Sequence, residues 1–365
     1  LARRHRVVRS AGFRNYRSGP SPCYEFVHVL YREVVYGRIG SARRRKLHKS
    51  VAEAAEALAL HVFSEAEVAA ELAYQFEEGG DWPRAVKYLL LAADTAGRRF
   101  ETRQAAVILE HGLELVNKIP EAERAQSEIA ILEKLANIYQ ASYDPRAVET
   151  YEALAGRAAH YGLADVEVRA RLGMAVPLAW VSADGYVEAV ERALDAQRRS
   201  GEGGTLKQAA MRSICVCWRM GAAKWEPGDL EEIREMVAKL REAGDRHLLA
   251  ELQLTFSYSL FHFSEYREAQ RSAEEGFAMR LEGHEQNPYL SSNFQVHAYL
   301  VSSCLLFIGE WGEALRQMEH RIAMAEKNGD HQSAIIAGLE RPRGCKSMRW
   351  TSPQRGKSFS RRFLR

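Results

Sequence analysis

The chain has 365 residues, 46% of them hydrophobic and 27% charged, a balance that allows a sizeable core. A net charge of +3 points to no single class of partner, and five cysteines in this length argue against a disulfide-built extracellular domain. No stretch reaches the roughly 18–20 apolar residues needed to cross a bilayer, and the basic start, Leu1 to Arg6, has no apolar run behind it, so it does not read as a secretory signal. A cytoplasmic protein without a membrane segment is the expectation.

The small net charge hides an asymmetry. Residues 1–49 carry +11 and residues 341–365 carry +9, which leaves −17 for residues 50–340. Acidic middle and basic ends are segments of different kinds. Three parts are expected: a linking segment over 1–60, a repeat region over 61–340 and a basic, disordered tail over 341–365.

Near the N-terminus only residues 24–29 alternate in the manner of a strand. From about residue 66 the pattern is helix after helix. Leu132, Leu135, Ala136 and Tyr139 share one face, as do Leu230, Ile233, Val237 and Leu240. Leu249, Leu252, Phe256, Leu260 and Phe263 form a third stripe, and Trp311, Ala314, Leu315, Met318, Ile322 and Ala325 a fourth. Each follows the 3.6-residue period of an amphipathic helix, so the fold class is all-α.

The decisive feature is a repeat. An aromatic residue followed three positions later by alanine opens a helix at Trp82-Pro-Arg-Ala85, Tyr186-Val-Glu-Ala189, Tyr266-Arg-Glu-Ala269 and Trp311-Gly-Glu-Ala314. Looser versions end at Ala147 and Ile233, and the positions 147, 189, 233, 269 and 314 are spaced by 36 to 45 residues. Gly162, Gly204, Gly244 and Gly329 punctuate the chain with the same period. Two independent signals with one period are hard to obtain by chance. Each unit reads as a helix, a tight turn and a second helix folded back on the first. A lone hairpin cannot bury its apolar stripe, so about six hairpins are expected to stack into a solenoid. The four aromatics are expected to lie buried at equivalent points of successive hairpins.

These residues carry a resemblance. The run from Val68 through Tyr74, Gly80, Asp81 and Trp82 to Leu89 resembles a tetratricopeptide-type unit. More narrowly, it is similar to the long-period units of bacterial multidomain signal-transduction ATPases, the group that includes the maltose-regulon activator and cyclase-associated ATPases. The stretch Tyr24-Glu-Phe26-Val-His28-Val-Leu-Tyr31, with Arg44 and His48 further on, resembles the winged-helix segment that joins ATPase to repeats in that group. The resemblance implies a winged-helix remnant in which Phe26, His28, Tyr31, Arg44 and His48 define the fold. It also implies an upstream ATPase. The chain starts at Leu1 rather than Met, and a fragment beginning just after that ATPase is the expectation.

Chemistry is sparse. The glycine-rich Gly201-Glu-Gly-Gly-Thr-Leu-Lys207 lacks the Gly-Lys-Ser/Thr ending that cradles phosphates and reads as an inter-helix loop. Cys215 and Cys217 stand two apart on a helix, face away from each other and cannot jointly hold a metal. The twelve histidines do not cluster, and no nucleophile elbow, acid–base dyad or dinucleotide fingerprint occurs. No cofactor, metal or catalytic residue is expected. Arg43-Arg44-Arg45-Lys46 is read as a basic face toward another domain or the acidic repeats, with phosphate contact as the alternative. The tail from Arg341 is read as a terminus whose frame departs from the ancestral one, with a nucleic-acid-binding arm as the alternative.

The expected function is therefore a non-catalytic binding or sensor module of a signal-transduction ATPase or transcriptional regulator. A protein partner or small inducer would sit on the concave face of the repeats. A freestanding adaptor is the alternative, and a nucleic-acid-binding regulator using the basic ends a third reading.

Overall fold

The computed structural model describes residues 7–16, 19–62, 65–99, 101–199, 205–221, 224–281 and 300–327. Strands β1 (Val8–Tyr16) and β2 (Gly19–Phe26) form an antiparallel hairpin, in register from Val8 opposite Phe26 to Tyr16 opposite Gly19. The register slips between Ser10 and Phe13, where Gly12 takes a φ of +89°. Strand alternation at residues 24–29 thus marked only the end of β2, and β1 went unread because Arg9, Gly12 and Asn15 interrupt its pattern. Helix α1 (Val29–Gly37) follows, its first turn capped by His28, whose Nδ1 accepts from the Leu30 amide at 3.2 Å. No residue of α1 is buried.

Helix α2 (Ser41–Val62) ties this unit to the rest: Ala52 lies fully buried in the first core cluster. From there the chain runs through α3 (Glu65–Glu78), α4 (Trp82–Arg98), α5 (Thr102–Val116), α6 (Glu121–Ala141), α7 (Arg146–His160) and α8 (Ala164–Val181). It continues through α9 (Ala183–Arg199), α10 (Leu206–Gly221), α11 (Asp229–Ala243), α12 (Arg246–His262), α13 (Tyr266–Leu281), α14 (residues 300–308) and α15 (Trp311–Lys327). The fold is an all-α helical repeat. Gly204, Gly329 and the basic tail 341–365 lie outside the described residues.

Consecutive helices pack antiparallel-fashion against each other, and two rows result. Even-numbered helices approach backbone to backbone, α4 to α6, α6 to α8 and α10 to α12. Small side chains allow this: the Ser259 hydroxyl on α12 donates to the Cys217 carbonyl on α10 at 2.7 Å. Odd-numbered helices instead reach one another through long ion pairs: Glu77 to His111 at 2.8 Å, Glu110 to Arg146 at 2.7 Å and Arg234 to Glu268 at 2.7 Å. Each pair is exposed enough to contribute little; burial of the alanine, leucine and isoleucine stripes supplies most of the stability. Three clusters of buried residues follow the stack, bridged at their borders by Leu113, Leu194 and Trp218.

One turn type recurs. Gly80, Tyr143, Gly162, Gly244, Ser264 and Gly309 all take left-handed φ values between 54° and 93°. The amide of the next residue then bonds back to the carbonyl five positions earlier, as from Asp81 to Phe76 at 2.9 Å and from Glu310 to Leu305 at 2.8 Å. This satisfies carbonyls that the ending helix leaves open. Where the next residue is aspartate, it also caps the following helix: Asp81 accepts from the Arg84 amide, and Asp245 from the Leu248 amide at 3.1 Å. Stop and start are thus encoded in two adjacent residues.

Candidate interaction edge

The two rows correct the phase of the repeat. Ala147, Ala189, Ile233, Ala269 and Ala314 open α7, α9, α11, α13 and α15, all in the odd row. Trp82 and Ala85 open α4, in the even row, half a period out of step. The residue in phase is Ala105 near the start of α5, fully buried and 42 residues before Ala147. It lacks an aromatic three positions before it, so the motif passed over it.

The alanines and the aromatics behave differently. Ala85, Ala189, Ala269 and Ala314 are all buried. Tyr186 is buried too, its hydroxyl donating to the Trp218 carbonyl at 2.7 Å. Trp82 is half-buried with the Lys118 ammonium 4.3 Å from its ring centre. Tyr266 is half-buried and stacks on Phe307 at 4.8 Å. Trp311, expected inside, is 58% exposed. Tyr186 is covered by α10, whose Trp218 carbonyl takes its hydroxyl.

That exposure belongs to a larger pattern. At the turns that lead from an even helix to an odd one stand Tyr143, Val181, Trp225, Phe307 and Trp311, all exposed. At the described odd-to-even turns beyond α5, Leu163 is the one exposed large apolar residue. Neighbouring turns on this edge touch through rings: Trp225 meets Phe263 at 5.8 Å, and Phe307 meets both Phe261 at 5.6 Å and Tyr266. Ring contacts thus occur at three successive turns, in two groups: Trp225 with Phe263, and Phe307 with Phe261 and Tyr266. Phe263 is legible in the sequence as the end of a helical stripe, but Trp225 and Phe307 are not, although the spacing of 38 and 44 residues through Phe263 follows the repeat. Trp225 and Phe307 lie at helix ends, outside any amphipathic stripe.

Charge along the edge is mostly spent internally. Arg219 grips Asp229 with one guanidinium nitrogen at 2.8 and 2.9 Å and also pairs with Glu226; Lys224 pairs with Glu191. Beneath it lie Cys215 and Cys217, both buried and far from any ligand geometry. Burial pushes the Cys215 thiol up to about 12 and raises Cys217 further, so neither is a thiolate at neutral pH. Among the described residues no cluster of three or more His, Cys, Asp or Glu is arranged to hold a metal. No helix among them is long and apolar enough to cross a membrane.

At the other end, Phe26 and Tyr31 are exposed and His28 serves as the α1 cap. His48 joins three helices: its Nε2 meets the Tyr36 hydroxyl at 2.7 Å and its Nδ1 meets Gln75 Oε1 at 2.6 Å. The Arg44 guanidinium lies 4.4 Å over the Tyr36 ring and donates to the Ile39 carbonyl. Of the five residues expected to define this unit, the structure brings Arg44 and His48 together around Tyr36.

No family model matches the chain, and no curated protein matches it. Among solved structures it is similar to BtubC (BKLC) from P. vanneervenii, with 16% identity over 88% of this chain and 98% of that one, at a TM-score of 0.35. It is similar to a putative kinesin light chain with nearly identical TPR-like repeats from Podosopora anserina, with 16% identity over 60% of this chain and 98% of that one, TM-score 0.31. A third is a Signal Transduction ATPase with Numerous Domains protein with a tetratricopeptide repeat sensor from Pyrococcus horikoshii, 12% identical over 88% of this chain and 52% of that one, TM-score 0.38. The helical-repeat fold rests on the chain's own two rows of helices.

Proposed function

We propose that this chain is a binding module that docks a segment of a partner protein along the edge formed by its even-to-odd turns. The observation that carries the reading is the set of rings at three successive turns, Trp225 with Phe263 and Phe307 with Phe261 and Tyr266, with Trp225 and Phe307 exposed. Contiguous exposed aromatics are uncommon on a monomer and are the residue types that dominate binding energy. The even row competes poorly as a site in this half: residues 300–305 of α14 are buried in succession. The resemblance of residues 68–89 to the units of multidomain ATPases supports a sensor arm whose partner-bound state is passed to an attached nucleotide-binding domain. Chemistry would then belong to that domain and recognition to this chain.

The test is a panel of labelled peptides of varied composition, read by fluorescence anisotropy against the chain and its Phe307→Ser/Trp311→Ser variant. Peptides retained by the chain and lost by the variant, with unchanged circular dichroism, support the edge. Peptides that bind both equally, or none that bind at all, overturn it.

A further inference from the structure

We propose that α1 docks on an anionic lipid surface, its apolar arc entering the headgroup boundary while the cations around it meet the headgroups. The inference is independent of the aromatic edge. Tyr36 holds α1 to α2 through the His48 ring nitrogen and the Arg44 guanidinium. At about 100° per residue, Leu30, Val34, Arg38, Tyr31 and Val35 fall within an arc of about 140°, whose centre lies about 170° from Tyr36. Arg38 continues the helix, its amide donating to the Val34 carbonyl at 3.2 Å. The four apolar members of the arc are 46–58% exposed. An amphipathic helix ordinarily turns such an arc to the core; this one turns it outward. Phe13 and Phe26, which share one face of the hairpin while Arg9 and Glu25 pair on the other, are exposed as well.

Charge narrows the occupant. Arg32, Arg38, Arg43, Arg45 and Lys46 are exposed and close no ion pair among the described residues, and Glu33 is the one acid between residues 32 and 46. A second copy would set these cations against themselves, since residues 1–49 carry +11. Size narrows it further. A protein partner of standard size covers about 800 Å² and roughly 20–30 residues on each side, far more than a nine-residue helix and two hairpin rings offer. A lipid surface sets no such minimum. Apolar side chains enter it one by one, and each nearby Lys or Arg adds about fivefold in affinity through anionic lipid. The cations need not share the arc, because their attraction to a charged surface reaches about 8–10 Å at physiological salt. Tyr31, with an apolar ring and a polar hydroxyl, is of the type that settles at a membrane–water boundary. The contact lies along the surface, and no described helix is long and apolar enough to cross it.

The probe is unilamellar vesicles of phosphatidylcholine with about one-third phosphatidylserine, mixed with the full chain and followed by co-sedimentation. Vesicles of phosphatidylcholine alone are the control. Binding to the first, at least about tenfold weaker to the control, is expected, and raised salt should weaken it. Leu30→Ser/Val34→Ser keeps every charge, those of residues 341–365 included, and should bind at least about tenfold more weakly. Both side chains are exposed, so folding is not at risk. Arg38→Gln should lose about fivefold. The Phe307→Ser/Trp311→Ser variant should bind vesicles as the parent does, which keeps this face separable from the edge. No retention, equal retention on both vesicles, or unchanged binding by the serine variant overturns the proposal, the last assigning the binding to the basic residues of 341–365. So does a parent that sediments as a dimer in solution while Leu30→Ser/Val34→Ser sediments as a monomer, which would name a second copy as the cover. Retention of the parent on an immobilised Glu-Leu-Glu-Glu-Leu-Leu-Glu peptide but not on vesicles, lost in the serine variant, names an acidic protein surface and likewise overturns it.

Discussion

The Tyr186 hydroxyl donates to the backbone carbonyl oxygen of Trp218 at 2.7 Å, joining positions 32 residues apart. One hairpin is thereby pinned to the next: the side chain belongs to α9, the carbonyl to α10. The same two residues lie on the border between the second and third core clusters in chain order, with their rings 6.3 Å apart. An added Cβ at Gly221 would come within 2.9 Å of that hydroxyl, so glycine keeps the approach open.

Tyr186→Phe keeps the ring and removes the donor. The buried Trp218 carbonyl then loses a partner that water does not readily replace, and the expected loss is about 1–2 kcal/mol. Equilibrium urea unfolding measures it; a midpoint unchanged from the parent would mean that the bond contributes nothing.

Two helical glycines should respond to alanine with opposite signs. At Gly173 in α8 an added Cβ would sit 2.5 Å from Cε1 and 2.7 Å from Cζ of Tyr151, a buried ring with no room to retreat. Gly173→Ala should therefore destabilise by about 1–3 kcal/mol despite alanine's helix propensity. Gly156 in α7 is exposed and has nothing within 4 Å, so Gly156→Ala should stabilise by roughly 0.5–1 kcal/mol. Thermal midpoints moving in the same direction would refute the contrast.

Within the last described hairpin the small residue matters more than the large one. Trp311 is 58% exposed, so Trp311→Ala should cost less than about 1 kcal/mol. Ala314 is fully buried where α15 meets the core, so Ala314→Leu should cost about 1–3 kcal/mol through overpacking. Denaturant midpoints of the two variants decide the order.

Asp81 should give the fold an acid-sensitive element. Burial raises its carboxyl, but the Arg84 hydrogen bonds and charge outweigh that and hold it below the usual carboxylate range, with Lys49 at 3.4 Å helping. A depressed carboxylate stabilises the fold above the unfolded value, about 4, and that contribution is lost as pH falls through the lower folded value. Asp81→Asn retains a capping oxygen and removes the charge. Its urea midpoint should therefore trail the parent's near neutral pH and converge with it below about pH 4; parallel curves would contradict the assignment.

The sequence by itself determined the helices, their period and the small residue at each crossing. These are properties of short windows: a stripe every 3.6 residues, an alanine near a helix start, and a glycine or an Asp81-like cap at a turn. It did not determine which row a helix joins, so Trp82 was grouped with Tyr186 although α4 and α9 lie in opposite rows. Nor did it determine which aromatics are covered, for Tyr186 and Trp311 share one local motif, yet one is buried and the other 58% exposed. The edge of rings appears only when residues some 40 positions apart are stacked, because a turn carries no periodic stripe of its own and its surroundings come from other hairpins.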